Sequence, residues 1–264
     1  MPLVLQTCNT VQDTTAALKA EGARYMGGGT LVVRAANEGD LSLTTLVRST
    51  DPSLSIIEVS GGQVKIGASV TMEAIVRHPD LTFLAKVARV IGGPAVRNMA
   101  TVGGNLFAPS PYGDFAVALL ALDAMVHVGG ETQEIGAFLD QRDKKGGPIV
   151  SAVSFDLPAH DSFRFLKVSR IKPKGVSVLS IAAVLEEDNG TVANARIALG
   201  CMANRPIRAK AAEKALIGKA LTKDGIAAAL AIAGERMSPP TDAIASAWYR
   251  SEVLPVHLGR LLLA

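Results

Sequence analysis

The stretch Arg97-Asn98-Met99-Ala100-Thr101-Val102-Gly103-Gly104-Asn105-Leu106, continued by Ala108-Pro109-Ser110-Pro111-Tyr112-Gly113-Asp114, decides how this chain is read. It is polar and rich in Gly and Pro, and it runs directly into an apolar helical segment, 115–122. Thr101, Asn105 and Ser110 offer side-chain hydrogen bonds, and the glycines offer backbone N–H groups. Asp114 reads in two ways. It is a good N-cap for the helix that follows, and it is also an acceptor for a ribose or amino group.

Upstream lies a second glycine-rich turn, Gly27-Gly28-Gly29-Thr30, between a strand at 23–26 and a helix at 31–37. Glycines there admit positive φ and close approach of a ligand. A helix start adds free N–H groups and a positive dipole end, which suit a phosphate. A plain tight turn is the competing reading. The turn is not a Rossmann fingerprint, because Val32 stands where the third Gly belongs, and no Gly-Lys-Ser/Thr follows to make a P-loop.

Around these loops the pattern is mixed α and β. Gly61-Gly62 separates strands at 55–60 and 63–67, and Gly129-Gly130 separates 124–128 from 132–135, so two hairpins are expected. Helices are expected at 14–20, 71–76 and 83–91, and strands at 42–47 and 149–157. After Pro158 a new unit begins, with strands at 162–168, 176–185 and 192–199, the last two joined by Asn189-Gly190. Two Ala-rich helices, 209–216 and 223–232, follow. The chain has 264 residues. At about 100–200 residues per domain that predicts about two domains, here 1–159 and 160–264, the first split into subdomains of about 1–54 and 55–159.

Composition excludes several classes. Net charge is only +3, which argues against a nucleic-acid binder. Cys8 and Cys201 are too few for a disulfide scaffold or an all-cysteine metal centre, and they suggest a reducing, cytoplasmic setting. The start, Met1-Pro2-Leu3-Val4-Leu5-Gln6, lacks the basic and apolar regions of a signal peptide. Apolar runs are too short for a membrane span. The four histidines are scattered, without metal-ligand spacing. Redox chemistry in such a chain requires a cofactor.

The order of Gly27-Gly28-Gly29-Thr30, Arg97 through Asn105, Asp114 and Ala121-Leu122-Asp123-Ala124 resembles the FAD-binding medium subunit of molybdenum hydroxylases, the relatives of carbon monoxide dehydrogenase and xanthine dehydrogenase. Phe165-Leu166-Lys167-Val168-Ser169-Arg170, Arg205-Pro206-Ile207-Arg208-Ala209 and Ala245-Ser246-Ala247-Trp248-Tyr249-Arg250 extend the likeness over nearly the whole chain. The resemblance implies an α+β fold. A two-subdomain FAD-binding domain of the vanillyl-alcohol-oxidase (PCMH) type would precede a small C-terminal α+β domain of the CO dehydrogenase flavoprotein type.

It also implies FAD held by Gly27, Gly28, Gly29, Thr30 and Leu31 on one loop and by Thr101, Val102, Gly103, Gly104, Asn105 and Ala108 on the other. Asp114 would be an adenosine-side acid and Lys167 a flavin-side lysine. No side chain of this chain is implied as catalytic. The implied partners are a large molybdenum–pterin subunit and a small subunit with [2Fe–2S] clusters, assembled as a dimer of heterotrimers. Two departures stand out. Leu31 replaces a small polar residue, leaving only its backbone N–H, and the run Ile171-Lys172-Pro173-Lys174-Gly175 lacks an acid common in relatives. A stand-alone FAD-dependent reductase of the same fold and a non-redox nucleotide-binding scaffold are the rival readings.

Overall fold

Three sheets organise the computed structural model, which describes residues 3–142, 149–171 and 175–264. The first sheet is parallel, with β3 (Thr45–Ser49) between β1 (Val4–Cys8) and β2 (Ala23–Tyr25). Helix α1 (Val11–Ala17) starts earlier than its apolar spacing suggests, because Thr10 caps it by accepting the Asp13 N–H at 3.1 Å. The strand expected at 42–47 is displaced toward its C-terminus. Asp40 accepts both the N–H and the hydroxyl of Ser42, and this local turn competes with the strand. Strand β1 has no counterpart in the sequence reading. Four of its five residues are exposed, so it shows no in-out alternation.

The second sheet is antiparallel, in the order β4 (Ile57–Ser60), β5 (Gln63–Gly67), β8 (Val150–Asp156), β6 (Met125–Val128) and β7 (Glu131–Glu134). Both expected hairpins are present. Each diglycine turn has positive φ at both residues, the geometry that matches the twist of the flanking strands. Helices α3 (Met72–Arg77), α4 (Thr82–Ala88), α5 (Pro94–Arg97), α6 (Val102–Leu106), α7 (Asp114–Ala121) and α8 (Ile135–Gln141) accompany it, and α2 (Val32–Asn37) lies between β2 and β3 in the chain.

The third sheet is antiparallel, in the order β12 (Ile207–Arg208), β11 (Thr191–Gly200), β10 (Ser177–Asp188) and β9 (Phe163–Ser169). Its two faces serve two cores. Leu179, Ile181, Ala183 and Leu185 pack with α9 (Lys210–Leu216), α10 (Lys223–Ile232) and α11 (Ala247–Leu262). The alternate residues Ala182 and Val184 join Phe115, Leu119 and the second sheet. All eight residues of α7 are therefore buried between the two cores, which explains why this helix is apolar on every side after Asp114. Burying each of its larger apolar side chains contributes about 1.5–3 kcal/mol.

Candidate functional site

The turn after β2 meets the segment before α6. A Cβ on Gly28 would lie 1.5 Å from the carbonyl oxygen of Met99, and one on Gly27 would lie 2.8 Å from Thr101 Oγ1. Only hydrogen at Gly28 lets the two backbones touch, so two glycine-rich segments far apart in sequence form a single cradle. Gly29 has φ +75°, a conformation that glycine adopts without strain. The N–H groups of Gly27, Gly28, Gly29, Thr30 and Leu31 have no protein acceptor among the described residues. Helix α2 begins at Val32 and has six residues, so its aligned dipoles add little beyond these individual donors. Leu31 is its N-cap and makes no side-chain cap bond.

The second segment differs from its expected form. Residues 102–106 are a short helix rather than a loop, capped by Thr101, whose Oγ1 accepts the Gly104 N–H at 3.0 Å. The Val102 N–H is given to Val70 O and the Gly103 N–H to Ala68 O. Three backbone donors read from the sequence as open to a ligand are thus engaged within the protein. This segment forms a wall. Asn105 donates its amide Nδ2 to Thr101 O at 3.0 Å and is buried, as is Ala108.

Gly113, with φ +91°, is the N-cap of α7, and Asp114 is the first helical residue rather than the cap. Asp114 Oδ1 accepts the Ser177 hydroxyl at 2.7 Å, and Oδ2 lies 2.9 Å from Lys167 Nζ. Lys167 also donates to Val90 O at 2.9 Å. The resemblance placed these two residues at opposite ends of an extended cofactor. The structure joins them in one ion pair. Of the basic run after them, Arg170 donates to Ile244 O, and residues 172–174 lie outside the described residues.

Arg97, at the start of the 97–106 stretch, anchors it. Its Nε pairs with Glu73 at 3.1 Å, and its Nη1 donates to the carbonyls of Arg89 and Gly92, which fixes the segment leading to Met99. Arg97, followed by Arg77, holds the Glu73 carboxyl below its usual range. Tyr112 accepts from Arg34 of α2 at 3.2 Å, which ties the two flanks of the cradle together.

The family described as "FAD binding domain in molybdopterin dehydrogenase" matches residues 4–155, and the family described as "CO dehydrogenase flavoprotein C-terminal domain" matches 164–264. The chain belongs to these flavoprotein subunits. The nicotinate dehydrogenase FAD-subunit of Eubacterium barkeri is 31% identical over 215 residues, 75% of this chain and 73% of that one. The carbon monoxide dehydrogenase medium chain of Afipia carboxidovorans is 28% identical over 216 residues, 77% of this chain and 75% of that one. The fold also matches quinoline 2-oxidoreductase from Pseudomonas putida 86, with a TM-score of 0.89 and 24% identity, over 100% of this chain and 96% of that one. Reconstituted CO dehydrogenase from Oligotropha carboxidovorans gives 0.89 and 24%, over 99% and 96%.

This flavoprotein subunit is an oxidoreductase component, and its residues fit its cofactor. Five N–H groups without a protein acceptor among the described residues lie on the turn where Gly28 permits backbone contact, donors of the kind a diphosphate takes. Among the described residues no group of three or more His, Cys, Asp or Glu could hold a metal ion, and no helix is long and apolar enough to cross a membrane.

Beside Asp114, the Cys201 thiol faces Ser177 O at 3.5 Å. Burial foremost, and then the Asp114 charge, push it up to about 12. Since the thiolate is the reactive form, Cys201 of the native flavoprotein should stay unmodified by iodoacetamide at pH 8 and react once the chain is unfolded. Site-resolved mass spectrometry checks this. Rapid native modification of Cys201 would show that the site is open.

Proposed function

We propose that this chain is the FAD-binding subunit of a multi-subunit molybdenum hydroxylase, relaying electrons from a partner's [2Fe–2S] clusters to a terminal acceptor. Its N–H groups at Gly27, Gly28, Gly29, Thr30 and Leu31 take the diphosphate. Thr101, Val102, Gly103, Gly104, Asn105 and Ala108 line the opposite side, with Asp114 as the adenosine-side acid and Lys167 as the flavin-side lysine. Bound FAD supplies the exchange between two-electron and one-electron chemistry. The chain's residues bind it, orient it and shield it. The partners are a large molybdenum–pterin subunit, which selects the substrate, and a small [2Fe–2S] subunit, assembled as a dimer of heterotrimers in the cytoplasm. The two free thiols, Cys8 and Cys201, suit that reducing compartment. The chain divides into functional units at 1–159 and 160–264.

One observation carries this reading, the contact at Gly28 that brings five free donors against the 99–101 backbone. The experiment adds FAD to the purified chain. Ligand at a hundred times its dissociation constant stabilises the folded state by about 2.7 kcal/mol, so melting should shift upward and the washed protein should stay yellow. A colourless protein with an unshifted melt would refute the FAD assignment. Native purification with chains carrying molybdenum and iron tests the assembly. Isolation of a lone flavoprotein that NAD(P)H reduces would favour the stand-alone reductase.

A further inference from the structure

We propose that Arg34 and Tyr112 form a clasp that closes the cradle over the bound diphosphate and sets how fast FAD leaves. This rests on the FAD reading above. Residues 27–34 and 99–112 meet at two places. The first is the floor, where Gly28 has no room for a Cβ against the Met99 carbonyl and Gly27 lies against Thr101 Oγ1. The second is the rim, where Arg34 Nη1 donates to the Tyr112 hydroxyl oxygen at 3.2 Å. Two segments joined twice enclose the gap between the joins. Gly29, Thr30 and Leu31 lie between them in the chain, so three of the five N–H groups that have no acceptor among the described residues belong to this ring. A diphosphate bound there is encircled. The ring systems at the two ends of FAD are wider than the link between them and oppose sliding out lengthwise. Release therefore runs through the opening of the ring.

The two joins differ in kind. The floor is backbone against backbone, and Met99 and Ala100 are both bonded to Val96 O, so it does not open without moving the main chain. The rim is one hydrogen bond between two exposed side chains, 59% for the Arg34 side chain and 39% for Tyr112. A bond of that kind is weak, and exposed side chains change rotamer in picoseconds to nanoseconds. The rim is the part that opens. It is also held ready to close. Arg34 follows Leu31 by three residues, one turn on along α2. Glu38, a further turn on, accepts from Arg34 Nε at 2.7 Å, which steadies the guanidinium and leaves Nη1 for Tyr112. On the other segment, Tyr112 donates its N–H to Pro109 O at 2.8 Å, and Gly113 beside it fits closely against the Asn105 and Ala108 carbonyls. Each half of the clasp thus stands on a fixed piece of backbone.

The test uses the full chain. FAD dissociation after dilution and association in stopped flow are read by flavin fluorescence, and apo stability by melting. Arg34→Met and Tyr112→Phe should each speed dissociation about three- to fivefold, the scale of an exposed hydrogen bond to a charged group. Association should not slow. The double variant should stay within about twofold of the faster single one, because either change breaks the same bond. Apo melting should match wild type, since both side chains are exposed. Unchanged dissociation overturns the clasp. Effects that multiply in the double variant also overturn it, because they mean two separate contacts with the cofactor. So does slowed association in Arg34→Met with a silent Tyr112→Phe, the signature of a lone cation that captures the diphosphate. Tyr112→Phe removes a single oxygen, so it decides the matter even where Arg34→Met disturbs α2. A wild-type chain that binds no FAD overturns the underlying FAD reading instead.

Discussion

Gly28→Ala should abolish FAD retention and lower the stability of the apo chain by about 3 kcal/mol, the upper range for overpacking a fitted contact. The added methyl would meet Met99 O at 1.5 Å and Met99 C at 2.3 Å. Both are backbone atoms, so no side-chain rotation relieves the clash. Nor can the 99–100 segment retreat. Met99 and Ala100 both donate to Val96 O, and Ala100 O accepts from Met72 N at 2.8 Å. The 27–31 turn has to move, and that turn carries the five donors. The glycine-to-alanine change itself is benign where space exists. Gly136 in α8 has nothing within 4 Å of its virtual Cβ, so Gly136→Ala should be neutral or stabilising by about 0.5–1 kcal/mol. Comparing apo melting temperatures and FAD content of the two variants isolates the contact. A Gly28→Ala protein that is yellow and melts like Gly136→Ala would show that the two segments are not in contact.

The parts of the molecule that local chemistry determines were legible in the sequence. Gly61-Gly62 and Gly129-Gly130 mark hairpins because both positions need positive φ, and Asn189-Gly190 joins β10 to β11 with φ of 50° and 76°. The Gly27-Gly28-Gly29 turn was readable because Gly29 takes positive φ and Gly28 lets another backbone approach. What escaped depends on distant partners. Residues 102–106 look like a loop because glycine is a poor helix former, yet the Thr101 cap and bonds to Val70 O and Ala68 O hold them helical. β1 pairs along β3 with four of its five residues exposed, so no periodicity betrays it. Lys167 meets Asp114 because β9 pairs with β10 in a register that sets Lys167 opposite Ser180, on the face turned toward α7. The spacing of residues along the chain does not contain that register. Nor does it contain the engagement of the Val102, Gly103 and Gly104 N–H groups, which turns an expected donor loop into a wall.

Asp242→Ala should cost about 3–5 kcal/mol at neutral pH, the range for leaving a buried charge without its partner. Arg250 is fully buried on α11. Its Nη2 reaches both Asp242 oxygens, at 2.9 and 3.0 Å, and its Nη1 donates to Pro240 O at 2.9 Å. Guanidinium does not shed its proton in a protein, so the variant must carry an unpaired cation in its interior or open the C-terminal domain to water. The same carboxylate accepts the Ile244 and Ala245 N–H groups, which shapes the strap before α11. Asp242→Asn keeps the shape and one acceptor and should fall between wild type and alanine.

The pH dependence separates charge from shape. Burial alone would raise the Asp242 carboxyl, but the Ala245 N–H, Arg250 and the Ile244 N–H outweigh it and hold the folded group below its ordinary value. A depressed folded pKa means that the stabilisation is complete above the unfolded value and is lost as pH falls through the folded one. The gap in urea midpoint between wild type and Asp242→Ala should therefore narrow on acidification below the carboxylate range. A gap of constant size across that range would mean that the strap is held by packing and by Pro240 O, and that the ion pair contributes nothing to it.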